Sequence, residues 1–225
     1  MVYPLTAPLY SIIMDKPDLL SLLNRLGIFL GVGNDTIEIS AEKHGIDPVF
    51  LLAMINTYTN PEYFPEKELR GFPITRITDY LLRANRFYID VALPNVIRHF
   101  QHLVQRSVTS DNNIQRLFDF FKGLKCRMED EIQRYNVLLE KLSTNHNKEL
   151  IQEIRTFGME QLHPLTDSIQ DLISLFIIHL KGSYEPNLCH AVINALISLR
   201  NDLRQNIRIH DRILTPLTET AIHND

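Results

Sequence analysis

Carboxylates and imidazoles turned into the interior of a helical protein can ligate metal, and the apolar stripes of this chain carry a few of them. Val192, Leu196, Leu199 and Leu203 recur at three- and four-residue steps, and the same stripe then meets Asn206 and His210 before Leu214 and Leu217. A second face holds Leu117, Phe121, Leu124, Met128, Glu131, Tyr135 and Leu138, with Arg127 one turn before Glu131. His163 borders a third stripe. A buried charge without a partner costs roughly several kcal/mol, so pairing Arg127 with Glu131 accounts for both residues. The alternative is a solvent-facing i,i+4 pair worth only about a few tenths of a kcal/mol. For His210 alone, the competing reading is an ordinary hydrogen-bonded interior histidine.

Other reactive residue types form no comparable set. Cys126 precedes Arg127, whose charge would favour a thiolate; Cys126 and Cys189 otherwise read as small buried or boundary residues, and a single disulfide between them is open. Tyr80, Tyr88 and Tyr135 fall on inward or boundary faces, where their hydroxyls can join a polar network. His99 and His102 share a helix face without a motif that completes a metal shell, and His223 sits in a polar tail. The loop Gly31-Val32-Gly33-Asn34-Asp35 lacks the strand and lysine of a phosphate-binding loop. A metal-independent enzyme would need a nucleophile, base and oxyanion-stabilising group in one motif, and none is evident.

Four long amphipathic segments must position the interior residues. They run roughly over 74–105, 111–143, 147–182 and 186–220, with polar turns around Ser110-Asp111-Asn112, Ser143-Thr144-Asn145 and Gly182-Ser183-Tyr184-Glu185-Pro186. Connectors this short favour antiparallel neighbours, so residues 74–222 read as an all-α, antiparallel four-helix bundle. Pro94, Pro164 and Pro216 interrupt the pattern; Pro94 predicts a kink or a break, and Pro216 fits a late turn as well. Residues 61–73, with Pro61, Pro65 and Pro73, form a linker. Residues 1–60 form a small helical module. There the leucines of 19–26 stop at Gly27, Asp35 or Thr36 caps a second helix ending at Gly45, and Asp47-Pro48 opens a third carrying Phe50, Leu51, Met54 and Ile55.

Composition narrows the function classes. The 225 residues are 44% hydrophobic and 22% charged, with a net charge of −4, which gives no general electrostatic reason to bind nucleic acid. The longest apolar run, Val49 to Ile55, is too short to cross a membrane, and the opening MVYPLTAPLYSIIM lacks the pattern of a signal peptide. Cytoplasmic placement follows as the default expectation.

In order and spacing, several segments resemble the iron–sulfur cluster repair proteins of the RIC/ScdA type, which join a short N-terminal ScdA-like module to a hemerythrin-like bundle. The likeness covers almost the whole chain. It rests on Asp15-Lys16-Pro17 through Leu26-Gly27-Ile28, on Thr36 with Glu38, on Gly45-Ile46-Asp47, on 79–88 (DYLLRANRFY) with Leu93-Pro94, and on 208–217 (RIHDRILTPL). The resemblance implies a non-haem di-iron centre held by four histidines and two glutamates, used in repairing clusters damaged by nitric oxide or oxidants. Matched by motif, the first-helix histidine falls at Asn85, and the second-helix histidine and glutamate at Arg127 and Glu131. The third-helix histidine falls at His163, and the fourth-helix histidine and glutamate at Asn206 and His210. Only Glu131 and His163 keep the expected types. Asparagine is a weak substitute for imidazole, and arginine offers five donors and no lone pair. The paired cysteines of the N-terminal module fall around Leu30–Val32, where this chain has none.

The resulting expectation is a hemerythrin-like bundle whose polar cavity, formed by Asn85, Arg127, Glu131, His163, Asn206 and His210, has lost the ordinary di-iron site. No cofactor is then required, and the function is non-enzymatic: regulatory or protein-binding, through a protein partner or a homodimer. The alternative is an iron-dependent cluster-repair or small-ligand-sensing protein with a mononuclear site at Glu131, His163 and His210.

Overall fold

Short-range punctuation fixes the first helices. The computed structural model describes residues 2–65, 68, 71–107, 112–144, 147–181 and 184–222. It begins with α1 (Leu9–Asp15), α2 (Leu19–Arg25), α3 (Ile37–Lys43) and α4 (Pro48–Thr59). At the end of α2, Gly27 takes φ +85° and the Ile28 amide donates to the Leu23 carbonyl at 2.9 Å. At the end of α3, Gly45 takes φ +65° and the Ile46 amide donates to the Ala41 carbonyl at 2.9 Å. Both are left-handed glycine stops that satisfy a terminal carbonyl. Thr36, rather than Asp35, caps α3 by accepting from the Ile39 amide (3.3 Å), and Asp47 caps α4 by accepting from the Phe50 amide (2.9 Å). Each such cap contributes about 1 kcal/mol. Helix α1 escapes the sequence reading because neither a side-chain cap nor a glycine stop marks it: it follows Pro8, which makes no cap hydrogen bond, and ends at Lys16.

Helix α4 is buried on nearly every side. Phe50, Leu51, Ala53, Met54, Ile55 and Tyr58 are at most 2% exposed. Its one buried side-chain amide is paired at both ends: Asn56 Oδ1 accepts from the Tyr3 amide (2.8 Å) and Nδ2 donates to the Tyr3 carbonyl (3.0 Å), clipping the incoming chain to the helix. Among the described residues there is no strand, only one isolated bridge between Pro8 and Thr36. The chain is all-α.

The four long segments lie where the periodicity places them, but their prolines behave differently from the expected kink, break or turn. The first consists of α5 (Ile74–Phe87), a π-turn π1 (Tyr88–Ala92) and α6 (Leu93–Arg106). The second is α7 (Asn112–Leu142). The third runs through α8 (Lys148–Phe157), π2 (Gly158–Leu162) and α9 (His163–His179), and the fourth through α10 (Pro186–Ile209), π3 (His210–Leu214) and α11 (Thr215–Ile222). Each π-turn ends two residues before a proline. Leu93, His163 and Thr215, the residues preceding Pro94, Pro164 and Pro216, donate to carbonyls five residues back and keep right-handed helical dihedrals. In a regular α-helix the proline ring would collide with the carbonyl four residues earlier, at about 3 kcal/mol or more. The wider turn takes up one extra residue and moves that carbonyl aside. Helix α7 contains no proline and is α-helical over its 31 residues. The connectors read at Ser110-Asp111, Asn145 and Gly182-Ser183, and His223, lie outside the described residues.

The chain forms two compact units. The first comprises Met1–Ala84, Leu138–Thr156 and Gln205–Asp225; the second comprises Asn85–Val137 and Phe157–Arg204. In the first, the half-buried Arg208 guanidinium donates to the carbonyls of Thr57 (3.4 Å) and Tyr58 (3.3 Å), the last turn of α4. A cation at a helix C-terminus complements the helix dipole. Burial, and then the neighbouring Arg212, lower the pKa of this guanidinium. In the second unit, Phe100 from α6 lies with its ring centroid 5.3 Å from Phe118 and from Phe121 of α7, and 5.5 Å from Phe176 of α9. No helix of the described residues is long and apolar enough to cross a membrane.

Candidate functional site

The interior polar residues divide between the two units. In the second, Asn85 near the end of α5 is 6% exposed, and its Nδ2 donates to Asn136 Oδ1 at 2.7 Å. This amide is already engaged by another amide. On α7, Arg127 is exposed, and it donates to Ser168 Oγ of α9 at 2.5 Å. Glu131 is half-buried, but its carboxylate accepts from Arg134 at 2.9 and 3.2 Å. The expected Arg127–Glu131 pair is therefore replaced by two separate arrangements. Arg134 is guided to Glu131 by its position 5.7 Å over the Phe157 ring, which in turn stacks on Tyr135 at 5.3 Å and 5°. His163, the first residue after π2, is exposed, whereas Leu162, Leu165 and Thr166 around it are buried. Arg127 and His163 thus stand on the exposed surface instead of the interior expected for them.

In the first unit the stripe inherited from α10 continues inward. Asn206 is 6% exposed and His210, the opening residue of π3, is 1% exposed. His210 Nδ1 lies 3.0 Å from Asp211 Oδ1, so a carboxylate orients the buried imidazole. Among the described residues, no group of three or more His, Cys, Asp or Glu side chains is placed to hold a metal ion. Tyr80, Tyr88 and Tyr135 are all buried, and the Tyr80 hydroxyl accepts from Arg25 at 3.4 Å. His99 is half-buried and His102 exposed.

Both cysteines are free thiols, not a disulfide: Cys126 is exposed, and Cys189 is buried, which pushes its thiol pKa up. The thiolate is the reactive form. At neutral pH, Ellman's reagent should therefore titrate one thiol of the native chain rapidly, and the second only after denaturation. Cys126→Ser should abolish the rapid phase; a rapid phase that survives it would contradict this assignment.

One concave site was not anticipated from the sequence. A cleft of about 390 Å³ in the first unit is lined by Arg25, His44, Arg76, Asp79, Tyr80 and Arg83, among others. Arg76 and Arg83 are seven residues apart, two turns on one face of α5, and that spacing was readable. Arg25 was also visible as the charge interrupting the leucines of α2. That α2, the end of α3 and α5 meet was not visible, because it depends on contacts between residues about twenty to sixty positions apart. No family model, curated protein or solved structure matches the chain.

Proposed function

We propose that this chain is a non-enzymatic, hemerythrin-like regulatory or protein-binding derivative of the iron–sulfur cluster repair family, acting in the cytoplasm through a protein partner or a second copy of itself. In this reading residues 1–60 form the ScdA-like module, 61–73 the linker, and 74–222 an antiparallel four-helix bundle that no longer builds a di-iron centre. The observation that supports it most is Arg127. It stands where the resemblance calls for a ligating histidine, yet it is an exposed guanidinium bonded to Ser168.

The remaining donors fit a pair of iron ions no better. Asn85 is engaged with Asn136, the Glu131 carboxylate is held by Arg134, and His163 is exposed. A guanidinium brings positive charge and no lone pair to a cation. A second reading, an iron-dependent repair or small-ligand-sensing protein, draws on one feature: the carboxylate beside His210 Nδ1 is the kind of partner that orients a ligating imidazole.

Protein purified without exposure to affinity metals should contain no stoichiometric iron and should bind none in anaerobic iron(II) titration. Two tightly bound irons per chain would overturn the proposal. One iron, lost in His210→Ala or Glu131→Ala and retained in Arg127→Ala, would favour the second reading.

A further inference from the structure

The arginine-lined cleft has the chemistry of an anion site. Arg76 and Arg83 are exposed, and among the described residues neither forms an ion pair with a carboxylate. Each makes one contact with the walls of the cleft. Arg76 packs its guanidinium 6.0 Å from the centroid of the buried Phe50 ring, and Arg83 donates through one nitrogen to the Arg25 carbonyl at 2.9 Å. A guanidinium has five N–H donors, so a single hydrogen bond leaves Arg83 most of its fork for a ligand. Arg25 itself is 7% exposed, its guanidinium 5.9 Å over the Tyr80 ring centroid and donating to the Tyr80 hydroxyl (3.4 Å). Among the described residues, three guanidinium groups thus line the cleft against one carboxylate, in a chain whose net charge is −4.

Arg76 and Arg83 are separated by about 10.5 Å along the axis of α5, from seven residues at 1.5 Å rise. Side chains of that length can close on one group midway between them. Planar forks acting together suit a phosphate dianion, which has oxygens enough for bidentate contacts from both. Asp79 lies between the two arginines in sequence and lines the same cleft, where its carboxylate can accept from hydroxyl groups on the body of a ligand. The volume lies within the range of small-molecule sites, about 300–1,000 Å³.

We propose that this cleft binds a small, soluble phosphomonoester carrying hydroxyl groups, of the sugar-phosphate type, with Arg76 and Arg83 on the phosphate and Asp79 on the hydroxyls. The site belongs to the first unit alone and is independent of whether iron binds elsewhere in the chain.

The test uses the full-length chain, with isothermal titration calorimetry and thermal shift at low salt. Three probes are compared: glucose 6-phosphate, inorganic phosphate, and phosphatidylcholine vesicles doped with phosphatidic acid. Glucose 6-phosphate should bind and raise Tm, inorganic phosphate should bind more weakly, and added NaCl should weaken both. Arg76→Gln and Arg83→Gln should each lower the affinity for glucose 6-phosphate by about tenfold or more. Arg116→Gln, an exposed arginine of the second unit, should leave the affinity unchanged. Asp79→Asn should weaken glucose 6-phosphate without weakening inorganic phosphate. Unchanged circular dichroism and Tm without ligand would show that each variant folds. Absence of glucose 6-phosphate binding, binding indifferent to both arginine substitutions, or binding to vesicles alone would each overturn the proposal.

Discussion

Phe100→Ala is expected to destabilise the protein by about 3–5 kcal/mol, the largest effect of any single side-chain truncation proposed for this chain. Phe100 is fully buried, and three other phenylalanine rings surround it at centroid distances of 5.3–5.5 Å. Removing its ring loses the transfer free energy of that surface. It also leaves a cavity whose walls come from three helices, and rings held on different backbones collapse only partly into such a space. Phe120→Ala supplies the contrast: that ring is 46% exposed, and its loss should change stability by no more than about 0.5 kcal/mol. Urea denaturation followed by circular dichroism measures both. The Phe100 variant should show a lower midpoint with little change in slope. If the two units unfold in separate steps, the loss belongs to the second unit's transition. Equal midpoints for the two variants would contradict the proposed role of the Phe100 cluster.

Deleting Val91 is expected to cost about 3 kcal/mol, although that side chain is half exposed and buries little. Val91 lies in π1, which holds one residue more than an α-turn would need. Deletion leaves the flanking helices in register and returns the turn to α geometry. It thereby restores the collision between the Pro94 ring and the carbonyl four residues before it. The double variant, Val91 deleted with Pro94→Ala, should recover most of the loss, because alanine brings back a donor and removes the ring. Pro94→Ala alone should change stability far less, since the wide turn already accommodates either residue. A deletion variant as stable as the parent, or a double variant no better than the deletion, would show that proline does not require the π-turn. Corresponding pairs at Pro164 and Pro216 test whether the rule is general within this chain.

The same turns explain which parts of the site were legible. Asn206 and His210 continue the stripe of Val192, Leu196, Leu199 and Leu203, and all are buried, because the helix keeps one period from Val192 up to the point where π3 begins. His163 was placed inward by the resemblance and not by periodicity; it follows π2, and Leu162, Leu165 and Thr166 take the buried positions around it. Arg127 and Glu131 failed for a different reason. Their four-residue spacing suits a mutual pair, but Arg134 is three residues beyond Glu131 and is steadied by an aromatic ring supplied from α8. No local pattern announces that ring. The glycine stops at 27 and 45 and the caps at Thr36 and Asp47 were readable because each depends on residues only a few positions apart. Proline was read as an interruption, yet a kink, a break and a widened turn share one sequence signature, and only the backbone distinguishes them.

Arg208 reaches the end of α4 across 150 residues of chain. During synthesis, α4 therefore leaves the ribosome well before the guanidinium that closes its last turn. At about 5–20 residues per second, that interval is on the order of ten seconds. Until then the nascent N-terminal helices present the carbonyls of Thr57 and Tyr58 to solvent or to chaperones, and a transcript truncated before codon 208 would never complete them.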